Sequence, residues 1–207
     1  LSHARARDDG GSAGEETRIV CMLAALSITL YNMIDSHRAN RRVNMVMDEL
    51  VPTITSKKTG VTEQNLPDYI AHPDMEMPTI EIDGQRYIGY LEIPDLNLRL
   101  PVAAGEFQLK KLLTSPALYS GSLYQGNMII AAHNYVSHFG RLSRLSVGAP
   151  IRFIDADGHE FNFSVAWTEV IYPSDREQLV TENSWQLTLF TCTYGREKRF
   201  TVRCIAD

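Results

Sequence analysis

The chain has 207 residues, 44% of them hydrophobic and 22% charged, and 25 acidic residues outweigh 20 Lys and Arg for a net charge of −5. That length suits one domain with added segments, since about 150 residues suffice to bury a core. No dense basic run occurs beyond residue 60, which argues against nucleic acid as a partner, because phosphate binding needs concentrated positive charge.

Residues 1–18 are polar, contain glycine and lack apolar periodicity. They are expected to be disordered, whether native or left by cloning. Residues 19–34 (IVCMLAALSITLYNMI) carry no charge. As a helix this stretch reaches about 24 Å, slightly short of the ~30 Å hydrocarbon layer. Tyr31 and Asn32, followed by His37, Arg38, Arg41 and Arg42, resemble an interfacial border, so a membrane anchor is expected. A buried helix or an uncleaved signal-like region is the alternative. Arg5, Arg7 and Arg18 balance Arg38, Arg41 and Arg42 across the stretch, so charge does not set its orientation.

Residues 35–50 fit a helix capped by Asp35 or Ser36, with Val43, Val46, Met47 and Leu50 as its apolar stripe and Pro52 as its stop. Four prolines between 51 and 78 read as an extended connector. From residue 79 the period becomes that of strands. Residues 79–82 and 85–93 flank Asp83-Gly84, a pair suited to a tight turn with positive φ angles. Further strands are expected at 96–102, 127–132, 151–154, 159–172, 186–192 and 199–205, with short helices at 107–113 and 139–145. Residues 155–158 should form a second hairpin turn. Many short strands without βαβ alternation predict a mostly β, antiparallel barrel or sandwich.

Three cysteines, Cys21, Cys192 and Cys204, form neither a disulfide framework nor a CxxC site. Cys192 ends the run LTLFTC; on position alone a small packed side chain is the commoner fate of such a cysteine, and its neighbours are what point to a nucleophile. If residues 193–198 close a hairpin, Cys192 and Arg199 lie opposite one another. Alternation then puts Arg199, Thr201 and Arg203 on one face, and Phe200, Val202 and Cys204 on the other. Arg203, ~13 Å further along, is too distant to share a site with Cys192. His133 emerges from the buried-looking run MIIAA; His138, in SHFGRL, suits a capping or surface role. HExxH spacing is absent, and neither metal nor cofactor is expected. Cys, His and Arg together are chemically sufficient for acyl transfer. Thiolate is the reactive sulfur, imidazole moves protons near neutral pH, and a guanidinium stabilises an oxyanion without a protonation step.

Thr188-Leu189-Phe190-Thr191-Cys192 resembles the TLxTC signature of sortases at every fixed position, with Arg199 in the following strand and His133 some sixty residues upstream. The likeness spans about residues 79–207, and 87–94 (YIGYLEIP) resembles the first barrel strand of that family. It implies an eight-stranded β-barrel tethered to a Gram-positive membrane by an N-terminal segment, the catalytic domain outside. It also implies cleavage of an LPxTG-like sorting signal on surface proteins, and passage of the acyl group to an amine on a peptidoglycan precursor or pilin. In this carry-over Cys192 is the nucleophile, His133 the proton shuttle, Arg199 the oxyanion partner, and Thr191 a groove or oxyanion-supporting residue. Subclass stays open: the N-terminal helix resembles class B, the compact barrel class D. The domain reading is 1–18 disordered, 19–34 anchor, 35–78 helix and connector, 79–207 barrel. An anchored binding module and a purely hydrolytic cysteine peptidase are the competing readings.

Overall fold

A computed structural model describes residues 10–60, 66–105, 115–175, 177–181, 185–193 and 198–207; the helix expected at 107–113 lies outside them. The chain divides into two units, Leu1–His37 and Arg38–Asp207. Helix α1, Gly10–Gly60, runs through both.

In the first unit the described part of α1 turns its apolar side chains outward. Val20, Met22, Leu23, Leu26 and Ile28 are all more than half exposed. The hydroxyls of Ser27 and Thr29 donate to the carbonyls of Leu23 and Ala25, each at 2.8 Å. That leaves no unmet donor on those side chains, which is what an apolar medium demands. The helix is long and apolar enough to cross a membrane by length and composition.

In the second unit the same helix becomes amphipathic. Val43, Val46, Met47, Leu50 and Ile54 recur at helical spacing and are buried in the core. The helix therefore passes Pro52, where the sequence predicts its end. Pro52 withholds one N–H, but the stripe continues to Ile54, so tertiary burial outweighs the lost bond. Helix α2 is a single turn, Asp68–Ala71.

The strands are β1 (Ile80–Ile82), β2 (Gln85–Ile93), β3 (Leu98–Ala103), β4 (Ala117–Ser120), β5 (Met128–Ala132), β6 (Pro150–Asp155), β7 (Glu160–Ile171), β8 (Leu187–Cys192) and β9 (Arg199–Ala206). Their order is β1-β2-β3-β4-β5-β8-β9-β7-β6, and β6 pairs back onto β2. Strands β2 to β9 thus close an eight-stranded barrel, and β1 is an added strand on its edge. The β1–β2 turn has φ of 52° at Asp83 and 72° at Gly84, the positive pair expected of Asp-Gly. At the closing seam Gly89 pairs with both Val102 and Asp155. A Cβ there would meet the Ile154 carbonyl oxygen at 2.0 Å, so the seam tolerates only glycine.

Most neighbours are antiparallel, as expected, but β5 and β8 are parallel along their whole length. The β6–β7 hairpin and the chain after it occupy the sequence between them, which makes a parallel return possible. Asp155, assigned to a turn from sequence, is instead the last residue of β6 and fully buried. Its carboxylate accepts the Tyr124 hydroxyl at 2.8 Å and the backbone N–H groups of Asp157 and His159, both at 2.9 Å. The short residue 178–181 turn, α3 (Gln178–Thr181), lies between β7 and β8.

Candidate active site

The parallel β5–β8 ladder ends on Ala132 opposite Thr191. His133 and Cys192 are the next residues on their strands, so both backbones leave the ladder at one level. Across the antiparallel β8–β9 pair, Cys192 lies directly opposite Arg199. Neighbouring strands are about 4.8 Å apart, so three adjacent strand ends bring His133, Cys192 and Arg199 into one row. The turn joining β8 to β9 is closed by the Thr193 N–H donating to the Lys198 carbonyl at 2.9 Å.

Pairing register also sorts the faces. Thr188, Phe190 and Cys192 share one side with Arg199, Thr201 and Arg203; Leu187, Leu189 and Thr191 share the other with Phe200, Val202 and Cys204. Cys192 is half-buried and Cys204 buried. Burial pushes the Cys204 thiol up to about 12, which keeps it protonated and unreactive. Cys21 is exposed on the first unit. Tyr119 meets Phe190 edge-on at 5.1 Å, placing aromatic surface on the Cys192 side of β8.

Thr191, carried over as a groove or oxyanion residue, is buried on the opposite face, and its hydroxyl donates to the Ala132 carbonyl at 2.9 Å. That bond ties the residue before Cys192 to the residue before His133, holding the two strand ends in register.

The loop after His133 is compact. The Phe139 N–H donates to the His133 carbonyl at 3.2 Å and the Gly140 N–H to the Tyr135 carbonyl at 2.8 Å. A Cβ on Gly140 would stand 2.7 Å from the Tyr135 oxygen, so a larger residue would force the turn open. Phe139 and Leu142, both buried, plug the loop into the core. The His133 ring stacks on Tyr135 at 5.1 Å with an interplanar angle of 24°, and Tyr135 in turn meets His138 at 5.7 Å.

His138 departs from its expected surface role, being 0% exposed. Burial, reinforced by the nearby His133 charge, pulls its pKa down to about 4. It is therefore neutral near pH 7. Phe139 and Leu142 drag the loop inward and take His138 with them, a consequence of packing that a polar-looking segment does not advertise.

Arg203 is the second surprise. It lies four residues from Arg199 at the Thr188 level, as the strand spacing requires. Yet it is only 1% exposed, and its Nε donates to Glu169 Oε1 at 2.8 Å. Among the described residues no group of three His, Cys, Asp or Glu side chains could hold a metal ion.

The closed β-barrel thus sets a half-buried cysteine between a histidine and an arginine at three adjacent strand ends. Residues 91–206 match the family model for the sortase domain, more than half of the chain, which therefore belongs to the sortase family. Members of this family are cysteine transpeptidases. Among solved structures, sortase C of Streptococcus pneumoniae, described for its catalysis and pilin substrate specificity, is 18% identical with a TM-score of 0.59. That match covers 79% of this chain and 96% of the other. A sortase D5 transpeptidase of Clostridium perfringens is 18% identical over 81% of this chain and 99% of its own, with a TM-score of 0.58. Sortase A of Corynebacterium diphtheriae is 18% identical over 89% and 95%, with a TM-score of 0.53. These likenesses across several classes show the fold and leave the subclass open. No curated protein matches the chain.

Proposed function

We propose that this sortase cleaves an LPxTG-like sorting signal through a Cys192 thioester and passes the acyl group to an amine on a peptidoglycan precursor or pilin. The observation that carries the reading is register: Cys192 stands opposite Arg199, and one residue beyond the Thr191–Ala132 pair that aligns it with His133.

The Cys192 thiolate attacks the Thr–Gly carbonyl carbon, and the carbonyl electrons move onto oxygen. The fixed charge of Arg199 stabilises that oxyanion. As the C–N bond breaks, protonated His133 gives its proton to the departing glycine amine, leaving a Cys192 thioester and neutral imidazole. The acceptor amine then attacks the thioester and His133 takes its proton. Collapse of the second tetrahedral adduct expels the Cys192 thiolate and restores the starting state. Thr191 serves by holding the β5 and β8 ends level.

The proposed domain organisation follows the same reading. Residues 19–34 anchor the chain in the membrane, 35–78 connect it to the enzyme, and 79–207 form the catalytic barrel outside the cell.

The test incubates the purified protein with an LPxTG-type peptide, with and without an amine acceptor. Transfer product that requires the amine, and is lost in Cys192→Ala and His133→Ala, is the expected result. Failure to cleave any peptide of a sorting-signal library would sink the reading. Cleavage at equal rate without amine would make the protein a hydrolase. Full-length protein should sediment with membranes, and a chain lacking residues 1–34 should not.

A further inference from the structure

The loop that leaves β5 turns back on itself around Tyr135. The Tyr135 carbonyl accepts two backbone N–H groups, from His138 at 2.9 Å and from Gly140 at 2.8 Å. The His133 carbonyl accepts a third, from Phe139 at 3.2 Å. Phe139 and Leu142, both fully buried, fasten the far side of the loop in the core. The backbone from which the Tyr135 side chain projects is thus fixed by the fold, with its polar groups paired.

From that position the Tyr135 ring lies against the ring of His133, with centroids 5.1 Å apart and planes 24° from parallel. The spacing falls inside the roughly 4.5–7 Å range of attractive ring pairs. A flat neighbour at this distance limits how far the imidazole can swing. The aromatic face also carries electron density that attracts a cation, so it favours imidazolium over neutral imidazole. Behind it, Tyr135 meets His138 at 5.7 Å and 55°. His138 is buried, and neither of its ring nitrogens meets a hydrogen-bond partner among the described residues. Burial keeps that ring neutral near pH 7, so it does not compete as a second cation for Tyr135. Strand pairing and ring contact place Cys192, Arg199 and His138 about His133. A Cys192 thiolate favours the imidazolium and Arg199 opposes it, which leaves the Tyr135 face as the neutral contributor on the loop side.

We infer that Tyr135 is a positioning residue for His133: its stacked ring holds the imidazole at the end of β5 and favours the protonated form that gives its proton to the departing amine. The inference rests on the transpeptidase reading above, in which His133 is the proton shuttle, and gives Tyr135 no contact with the reacting atoms. The role belongs to the ring face and not to the hydroxyl.

The experiment compares the full wild-type chain in detergent micelles with Tyr135→Phe, which keeps the ring, and Tyr135→Leu, which keeps apolar bulk and loses the aromatic face. Two measurements are made over the same pH range: NMR titration of the His133 ring protons, assigned by their loss in His133→Gln, and kcat and KM on an LPxTG-type peptide. In Tyr135→Leu the His133 signals should move downfield as the ring current is lost, and their titration midpoint should fall by about half a pH unit. Its kcat should drop roughly tenfold, with KM within about twofold of wild type. Tyr135→Phe should match wild type throughout. Unchanged His133 signals or unchanged kcat in folded Tyr135→Leu overturns the inference. Equal damage in Tyr135→Phe also overturns it, since the hydroxyl and not the face would then matter. A rise confined to KM would overturn it by placing Tyr135 against the substrate. If Tyr135→Leu fails to fold, Tyr135→Met serves as the variant without a ring. A wild type that cleaves no peptide defeats the transpeptidase reading, while the NMR titration still decides whether Tyr135 holds His133.

Discussion

Arg199 and Arg203 occupy the same face of β9, one pleat repeat apart from Thr201, and their surroundings could hardly differ more. Arg199 stands at the end of the strand opposite Cys192 and is half-buried. Arg203 stands lower, enclosed by Glu169, Thr188 and the carbonyls of α3. The difference teaches that one alternation pattern can leave one charge at a strand end and enclose another. Where the covering segment lies decides which is which.

The comparison breaks most visibly in stability. Arg203→Ala leaves Glu169 and two backbone carbonyls without their buried cation, and should lower unfolding stability by about 3–5 kcal/mol in urea titrations. Arg199→Ala, with no such enclosure, should leave the urea midpoint nearly unchanged and cut kcat/KM by about 10²- to 10³-fold, the range for a lost oxyanion donor. If the two variants exchanged phenotypes, the assignment of the two ends of β9 would be reversed.

The two histidines sharpen the same contrast between an open strand end and a packed interior. His138 is held near pKa 4 in the folded protein, against an ordinary value of 6.5. A group whose charged form is disfavoured on folding stabilises the fold fully above about pH 6.5 and loses that contribution as pH falls towards 4, by roughly 3 kcal/mol. Urea midpoints should therefore fall across that window in the wild type. In His138→Phe the fall should be shallower, while the pH profile of peptide cleavage keeps its shape. A smaller effect is expected at the base of the site. Thr191→Val removes a hydroxyl that meets the Ala132 carbonyl and should cost about 1 kcal/mol, with a modest loss of kcat as the two strand ends loosen.

Much of this was legible in the residues. The Asp83-Gly84 turn announced itself because positive φ at two successive positions restricts the residues that can stand there. The strand pairing of Cys192 with Arg199 followed from counting across a short turn, and Cys204 fell to the interior by alternation. The stripe of α1 was visible too, but its end was not. Pro52 is a local signal, and burial of Ile54 beyond it is a tertiary one.

His138 and Arg203 escaped for a related reason. Local sequence assigns polarity, and polarity points to the surface unless another segment supplies cover. The plug of Phe139 and Leu142 and the carbonyls of Gln178 and Leu179 come from packing, which strand periodicity does not report. Asp155 belongs with them, since its partner Tyr124 lies 31 positions away.

The feature that matters most was also the least readable. By itself the sequence determined every strand but β4 (Ala117–Ser120), their faces, the cysteine motif and the family it resembles, because all of these depend on neighbours within a few residues. Only the tertiary structure decided that β5 and β8 run parallel, side by side, so that chains ending in Ala132 and Thr191 leave the barrel together. Pairing of distant strands is selected by the closure of the whole barrel, and no local pattern in either strand encodes it.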